Sequence, residues 1–130
     1  MTQGLSAQER IRRRAEFQQV YERGVRTHAR FMTLFVLPNS LAVTRLGVAA
    51  TRKLGDAVRR NRAKRLVREV FRRNKTLPGF DVVVVPRREL LDAEFSSLEA
   101  DYRAALRRAP SRGRSAQPTR SPERGRAAKP

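Results

Sequence analysis

The chain has 130 residues and a formal net charge of +18, with 39% hydrophobic residues, no cysteine and one histidine, His28. That length fits one small domain with a modest core. The composition excludes disulfides, thiolate metal sites and a histidine cage, and no run approaches the roughly 18 apolar residues of a membrane span.

So large a charge destabilises a compact chain by self-repulsion unless an anionic partner neutralises it. Nucleic acid is the ordinary partner, because lysine and arginine displace counterions condensed on phosphate. An anionic membrane would need a long apolar face beside the charge, which no segment offers. The N-terminal stretch lacks the apolar centre of a signal peptide, so the cytoplasm is the expected compartment.

Residues 1–5 are expected to be flexible. Ser6 and Glu9 have the spacing of a capping box, which predicts a helix from Ala7 to Arg23 with Gly24 as its stop. Its apolar residues, Ile11, Ala15, Phe17, Val20 and Tyr21, make no single stripe. Val25 to Leu37 reads as one strand, with Phe31, Thr33, Phe35 and Leu37 on one face and Met32, Leu34 and Val36 on the other. Pro38-Asn39-Ser40 signals a turn, and Arg45 to Thr51 reads as a second strand.

Gly55-Asp56 is a breaker followed by an N-cap, opening a helix from Ala57 to about Asn74. Asp81 to Pro86 holds four consecutive valines, the mark of a central strand covered on both faces. A last helix is predicted from Glu89 to Arg108, with Leu91, Phe95, Leu98, Tyr102 and Ala105 facing a core. Five of the twelve acids fall in that segment, so the positive surface lies elsewhere. Residues 110–130 are rich in Pro, Ser, Gly and Arg, contain no large apolar residue, and read as a disordered basic tail. The domain therefore runs over 6–109.

The central helix carries the strongest signal. Nine of the seventeen residues from Arg59 to Lys75 are basic and only Glu69 is acidic. At about 100° per residue, Ala63, Leu66, Val67, Val70 and Phe71 share one side, while Asn61, Lys64, Arg65, Arg68 and Arg72 share the other. Like charges one turn apart destabilise a helix, and a solvated face normally mixes in glutamate. A ridge of arginines fits an anionic backbone lying along it. Arginine grips phosphate bidentately and stacks on bases, and Asn61 both donates and accepts. A hydrogen bond at the helix start is the plainer role for Asn61.

The string from Arg52-Lys53-Leu54-Gly55-Asp56-Ala57-Val58 through Arg60-Asn61-Arg62 to Lys64-Arg65-Leu66-Val67-Arg68-Glu69 resembles the signature of the bacterial ribonuclease P protein component. Phe17-Gln18-Gln19-Val20-Tyr21 with Gly24, the Phe31–Pro38 segment, Arg45-Leu46-Gly47-Val48 and Asp81–Val85 resemble its other conserved blocks. The resemblance covers about residues 9–108.

It implies an α+β domain of order α-β-β-β-α-β-α, like the second domain of ribosomal protein S five. It further implies a protein subunit that is not itself the catalyst. In that family a large RNA, using Mg2+ held mainly by RNA and substrate, hydrolyses the phosphodiester at the 5′ end of precursor tRNA. The protein binds that RNA and the 5′ leader.

Carried over by residue, Arg52, Lys53, Arg60, Asn61, Arg62, Lys64, Arg65 and Arg68 would meet the catalytic RNA. Phe17, Tyr21, Phe31 and Phe35 would meet the leader. Aromatics suit leaders of varied sequence, because every base has a face to stack. Core packing is the plainer role for all four, and especially for Phe31 and Phe35. The resemblance also places an aromatic near Leu34. It implies no catalytic residue, metal ligand or small-molecule substrate in this chain, and the residues themselves show no acid cluster or acid–base pair.

On the residues alone, a ribosomal or double-stranded-RNA-binding module is the alternative, since such domains also mix basic helices with short sheets. A DNA-binding helix-turn-helix is disfavoured, because strand-like sequence flanks the basic helix.

Overall fold

A computed structural model describes residues 7–75 and 78–108. The expectations for residues 1–6 and for the 110–130 tail lie outside the described residues. Helix α1 is Arg14–Arg23, followed by strands β1 (Val25–His28), β2 (Met32–Pro38) and β3 (Arg45–Val48). Helix α2 (Ala57–Arg73), strand β4 (Phe80–Pro86) and helix α3 (Phe95–Arg108) complete the α+β order. The sheet order is β1-β2-β4-β3, with β3 parallel to β4 and the other pairs antiparallel. The valine-rich β4 is therefore interior, as its unbroken apolar run requires.

Each face of the sheet has its own helices. Met32, Leu34, Val36, Leu46, Val82 and Val84 pack with Val67, Val70 and Phe71 of α2 and Leu98 and Tyr102 of α3. On the other face Val83, Phe35 and Leu37 meet Val20 and Phe17 of α1, together with Ile11. The second layer holds a single helix.

Four predicted boundaries are corrected. The first helix begins at Arg14, not Ala7; residues Ala7–Glu9 form a short 3-10 turn. Arg10 and Ile11 instead run alongside β3, with Ile11 N–H donating to Leu46 O at 2.9 Å. Glu16 then reaches back toward the N–H groups of Arg12 and Arg13, each 3.4 Å from its carboxylate.

The predicted long strand is a hairpin. Ala29 N–H donates to Met32 O at 2.9 Å, and the Asp101 carboxylate on α3 accepts from Arg30 N–H at 3.0 Å and Phe31 N–H at 2.9 Å. No glycine, proline or asparagine marks that turn, because its acceptor comes from far along the chain.

Strand β3 ends at Val48 rather than Thr51. The last helix is split into a 3-10 turn over Arg88–Asp92 and α3, with Ala93 extended between them. The break puts Leu90 fully inside and leaves Leu91 and Phe95 half-buried, while Leu98, Tyr102 and Ala105 are buried as predicted. Helix α2 keeps its predicted start, capped by Asp56, whose carboxylate accepts from Arg59 N–H at 3.0 Å.

Candidate nucleic-acid interface

Two surfaces on opposite sides of the sheet carry the predicted residues. The first is the N-terminal part of α2. Gly55 takes φ 121°, a left-handed backbone that side chains resist, and turns the chain from the Arg52–Leu54 turn into the helix. Arg52 and Lys53 are exposed on that turn, ahead of Asn61, Arg62 and Arg65, which are exposed on the helix. Lys64 and Arg68 are half-buried.

Arg60 is partly committed: one of its terminal nitrogens donates to Gly55 O at 2.8 Å and braces the turn. Asn61 makes no side-chain hydrogen bond among the described residues. The helix-start bond is supplied by Asp56 instead, which leaves the Asn61 amide available.

Charge along α2 is graded. At the C-terminal end the cations are paired: Arg72 Nε donates to Glu69 at 3.2 Å, Arg73 lies 3.6 Å from Glu99, and Lys75 pairs with Glu9. Among the described residues, Arg59, Arg62, Lys64, Arg65 and Arg68 have no acidic partner within ion-pair distance. Arg72, placed on the outward ridge from sequence, is thus already neutralised. Arg88 was not legible as part of this surface. It joins Arg59 and Arg62 around a polar cleft of 320 Å³ that also touches Glu89 and Asp92.

Partial burial lowers the proton affinity of Arg68, and the positive charge of nearby Arg10 lowers it further. At neutral pH Arg68 remains a cation.

The second surface is the cleft between α1 and the sheet. Phe17 and Tyr21 have ring centroids 6.4 Å apart, and Phe35 meets Tyr21 edge-on at 5.0 Å. Tyr21 is 38% exposed and the other two are half-buried. A β-carbon at Gly47 would sit 2.8 Å from the Phe17 ring, so only glycine lets the ring lie against β3. Partial burial raises the Tyr21 phenol above its ordinary value, keeping it protonated and able to donate.

Phe31 does not join this cleft. It is buried with the α2 and α3 core, its ring covered by the Arg30 guanidinium at 5.0 Å. Leu34 is fully buried on that same side, and the aromatic of this strand is Phe35, one residue further on.

Beyond Phe35 the floor continues through Thr33, beside His28 and Arg87. The His28 Nδ1 lies 3.3 Å from Thr33 Oγ1, and Arg87 Nη2 lies 3.3 Å from the same hydroxyl. Arg26, exposed and opposite Phe35 in register, adds a basic rim. Neither Arg26 nor Arg87 stood out in the sequence. Their signal was a basic residue at every second position of a short strand and just past another.

An ion triad sets the position of α1. Arg45 donates to both Asp81 oxygens at 2.8 and 2.7 Å and to Glu16 at 3.0 Å, while Asn39 donates to Asp81 at 2.8 Å. The Asp81 hydrogen bonds raise the proton affinity of Arg45 above the ordinary arginine value, despite partial burial. For Glu16, partial burial works against ionisation. The Arg13 N–H and the Arg45 guanidinium outweigh it and hold the carboxyl below its ordinary value. Glu16 precedes Phe17, so the triad locks the aromatic turn of α1 to β3 and β4.

Among the described residues no group of three or more His, Asp or Glu could hold a metal ion. No described helix is long and apolar enough to cross a membrane.

A sequence model of the ribonuclease P family matches residues 5–110. The ribonuclease P protein component of Thermotoga maritima is 41% identical over 101 residues, spanning 76% of this chain and 86% of its own length. That of Caldanaerobacter subterraneus subsp. tengcongensis is 35% identical over 103 residues, spanning 78% and 89%. Among solved structures, the RNase P protein from Thermotoga maritima superposes with a TM-score of 0.70 at 36% identity, covering 77% of this chain and 96% of that one. The Staphylococcus aureus RNase P protein gives 0.68 at 30% identity, covering 76% and 93%.

Proposed function

The chain belongs to the ribonuclease P protein family, and on that premise we propose that it docks a catalytic RNA on α2 and holds the 5′ leader of precursor tRNA in the α1 cleft. In this reading it is the non-catalytic subunit of a cytoplasmic endoribonuclease that matures tRNA 5′ ends. The observation that carries the docking half is the set of arginines in the first turns of α2 without acidic partners. The basic residues of the last turn, Arg72 and Arg73, are paired with Glu69 and Glu99, so the unpaired ones before them are the natural phosphate contacts.

Arg62 and Arg65 supply exposed forks, Arg52 and Lys53 extend the track, and Arg60 also stiffens the turn that presents it. Asn61 offers a donor and an acceptor to a base edge, a 2′-hydroxyl or a phosphate. In the cleft, Phe17, Tyr21 and Phe35 offer ring faces and edges to bases without demanding a sequence, and Arg26 and Arg87 meet the leader backbone. Phe31 contributes to the core rather than to the leader. Mg2+ would be carried by the RNA and substrate; this chain's part is to offset phosphate charge beside it.

The test is reconstitution with the catalytic RNA of the same organism. The protein alone should cleave nothing. Added to the RNA, it should lower the Mg2+ requirement and tighten precursor tRNA more than mature tRNA. Unchanged cleavage and affinity would remove this function, and tighter binding to plain duplex RNA than to precursor tRNA would favour a double-stranded-RNA-binding module.

A further inference from the structure

The N-terminal segment supplies a cation that the motif in α2 does not announce. Arg10 forms a parallel bridge with Leu46 at the β3 edge. Residues paired across such a bridge send their side chains to the same face. Leu46 belongs to the core under α2 and α3, whereas the next residue, Ile11, packs with Val20 and Val83 on the α1 face. Arg10 therefore projects toward α2, away from the aromatic cleft.

On that side lies Arg68, whose charged form is disfavoured first by partial burial and then by the positive charge of Arg10. The Arg10 Nε is buried and has no hydrogen-bond partner among the described residues. Among the described residues no acid lies within ion-pair distance of either: Glu69, next to Arg68, is bonded to Arg72, and Glu9, next to Arg10, is bonded to Lys75. Two partly desolvated cations beside each other, one with an orphan donor, destabilise the free protein. An anion between them reverses the sign of that arrangement.

We propose that Arg10 and Arg68 together clamp one backbone phosphate of the catalytic RNA, extending the docking surface from the outward ridge of α2 to the β3 edge. The occupant is RNA phosphate because the pair is continuous with the unpaired arginines of α2. The inference rests on α2 being the docking surface, and Arg65→Ala serves as the reference for that parent reading.

The experiment measures binding of the full chain to its catalytic RNA across a KCl series, with thermal melting of the free protein alongside. Arg10→Gln should weaken binding about tenfold and lower the salt slope by about 0.7–0.9, one phosphate contact. The melting temperature of the free protein should hold or rise, because a repulsion is removed. Arg10→Lys should restore the slope. Because two cations share one phosphate, Arg10→Gln with Arg68→Gln should lose less than the sum of the two singles.

A lowered melting temperature with an unchanged slope, or full additivity in the double variant, overturns the clamp. So does stabilisation by inorganic phosphate that depends on Arg10 while RNA binding does not, since that marks a site for free anion. If Arg65→Ala weakens binding and Arg10→Gln does not, only the clamp fails; if neither does, the docking surface itself fails.

Discussion

The basic face of α2 and the aromatic cleft under α1 sit on opposite sides of one sheet and are built by opposite means. The α2 face is a single helix, with its cap, turn and cations within one continuous segment. The cleft is assembled from Phe17 and Tyr21 of α1, Phe35 of β2 and Gly47 of β3, and is held by Arg45 and Asp81 from two strands. Charge on one helix tolerates small displacements, because Coulomb attraction falls off slowly. Stacking does not, because it needs ring faces at fixed separations. The molecule accordingly spends its buried ion pairs on the cleft and leaves the first turns of α2 unpaired.

The sharpest way to separate the two regions is Asp81→Asn, which leaves Arg45 half-buried without its main charge partner. Breaking such a pair costs about 3 kcal/mol, or a fall of about 12–24 °C in melting temperature for a domain this size. Precursor tRNA selectivity should be lost well below the temperature at which RNA docking fails; simultaneous loss of both would show that the cleft and the α2 face are one cooperative unit.

Next in size, Arg62→Ala with Arg65→Ala should weaken assembly with the catalytic RNA by about 2–4 kcal/mol and reduce the salt slope by nearly two, read by filter binding. A parallel loss of leader discrimination would blur the distinction between the surfaces. Phe17→Ala should weaken precursor tRNA by about 1–3 kcal/mol and leave mature tRNA nearly unchanged. Equal losses for both would take the leader out of the cleft.

A smaller effect is expected from acid. The Glu16 carboxyl is held below its ordinary value of 4.5, so its anchoring is fully present above that pH and is lost as pH falls through the lower folded value. Stability of Glu16→Gln should be flatter than wild type across that acid range in denaturant titrations, and equal slopes would deny Glu16 its role in seating α1. The smallest change should come from Arg72→Ala. Its charge is already met by Glu69, so the salt slope should stay within about 0.3 of wild type.

What the sequence made legible follows the same division. The α2 segment was readable to its cap, because helix periodicity, Asp56 and the arginine ridge are all local signals. What that reading left out is that Arg72, on the outward side, has its charge met by Glu69 in the same helix, a pairing that spacing could have suggested. The core stripe of Leu98, Tyr102 and Ala105 and the central place of Val82–Val85 were likewise readable from pattern.

The cleft was only partly visible. Phe17 and Tyr21 announced themselves one turn apart, but alternation alone could not tell that Phe31 falls beyond the turn and joins the other layer. The hairpin was hidden because Asp101 supplies the acceptors that a glycine or asparagine would otherwise replace. The start of α1 was hidden because Ile11 gains more from β3 and from the Phe17 layer than from a further helical turn. In each case a distant residue outweighed local propensity.

The Asp101 contact also has a consequence for the order of synthesis. Its carboxylate closes a turn seventy residues earlier in the chain. On the ribosome, β1 and β2 emerge long before the residue that fixes their connection. The basic helix has its own backbone bonds in place by Arg73, although its apolar side still waits for β4 and α3, while the turn between β1 and β2 is closed only by the final helix. A nascent chain therefore carries its full set of helix cations before the connection between β1 and β2 has the acceptor that fixes it.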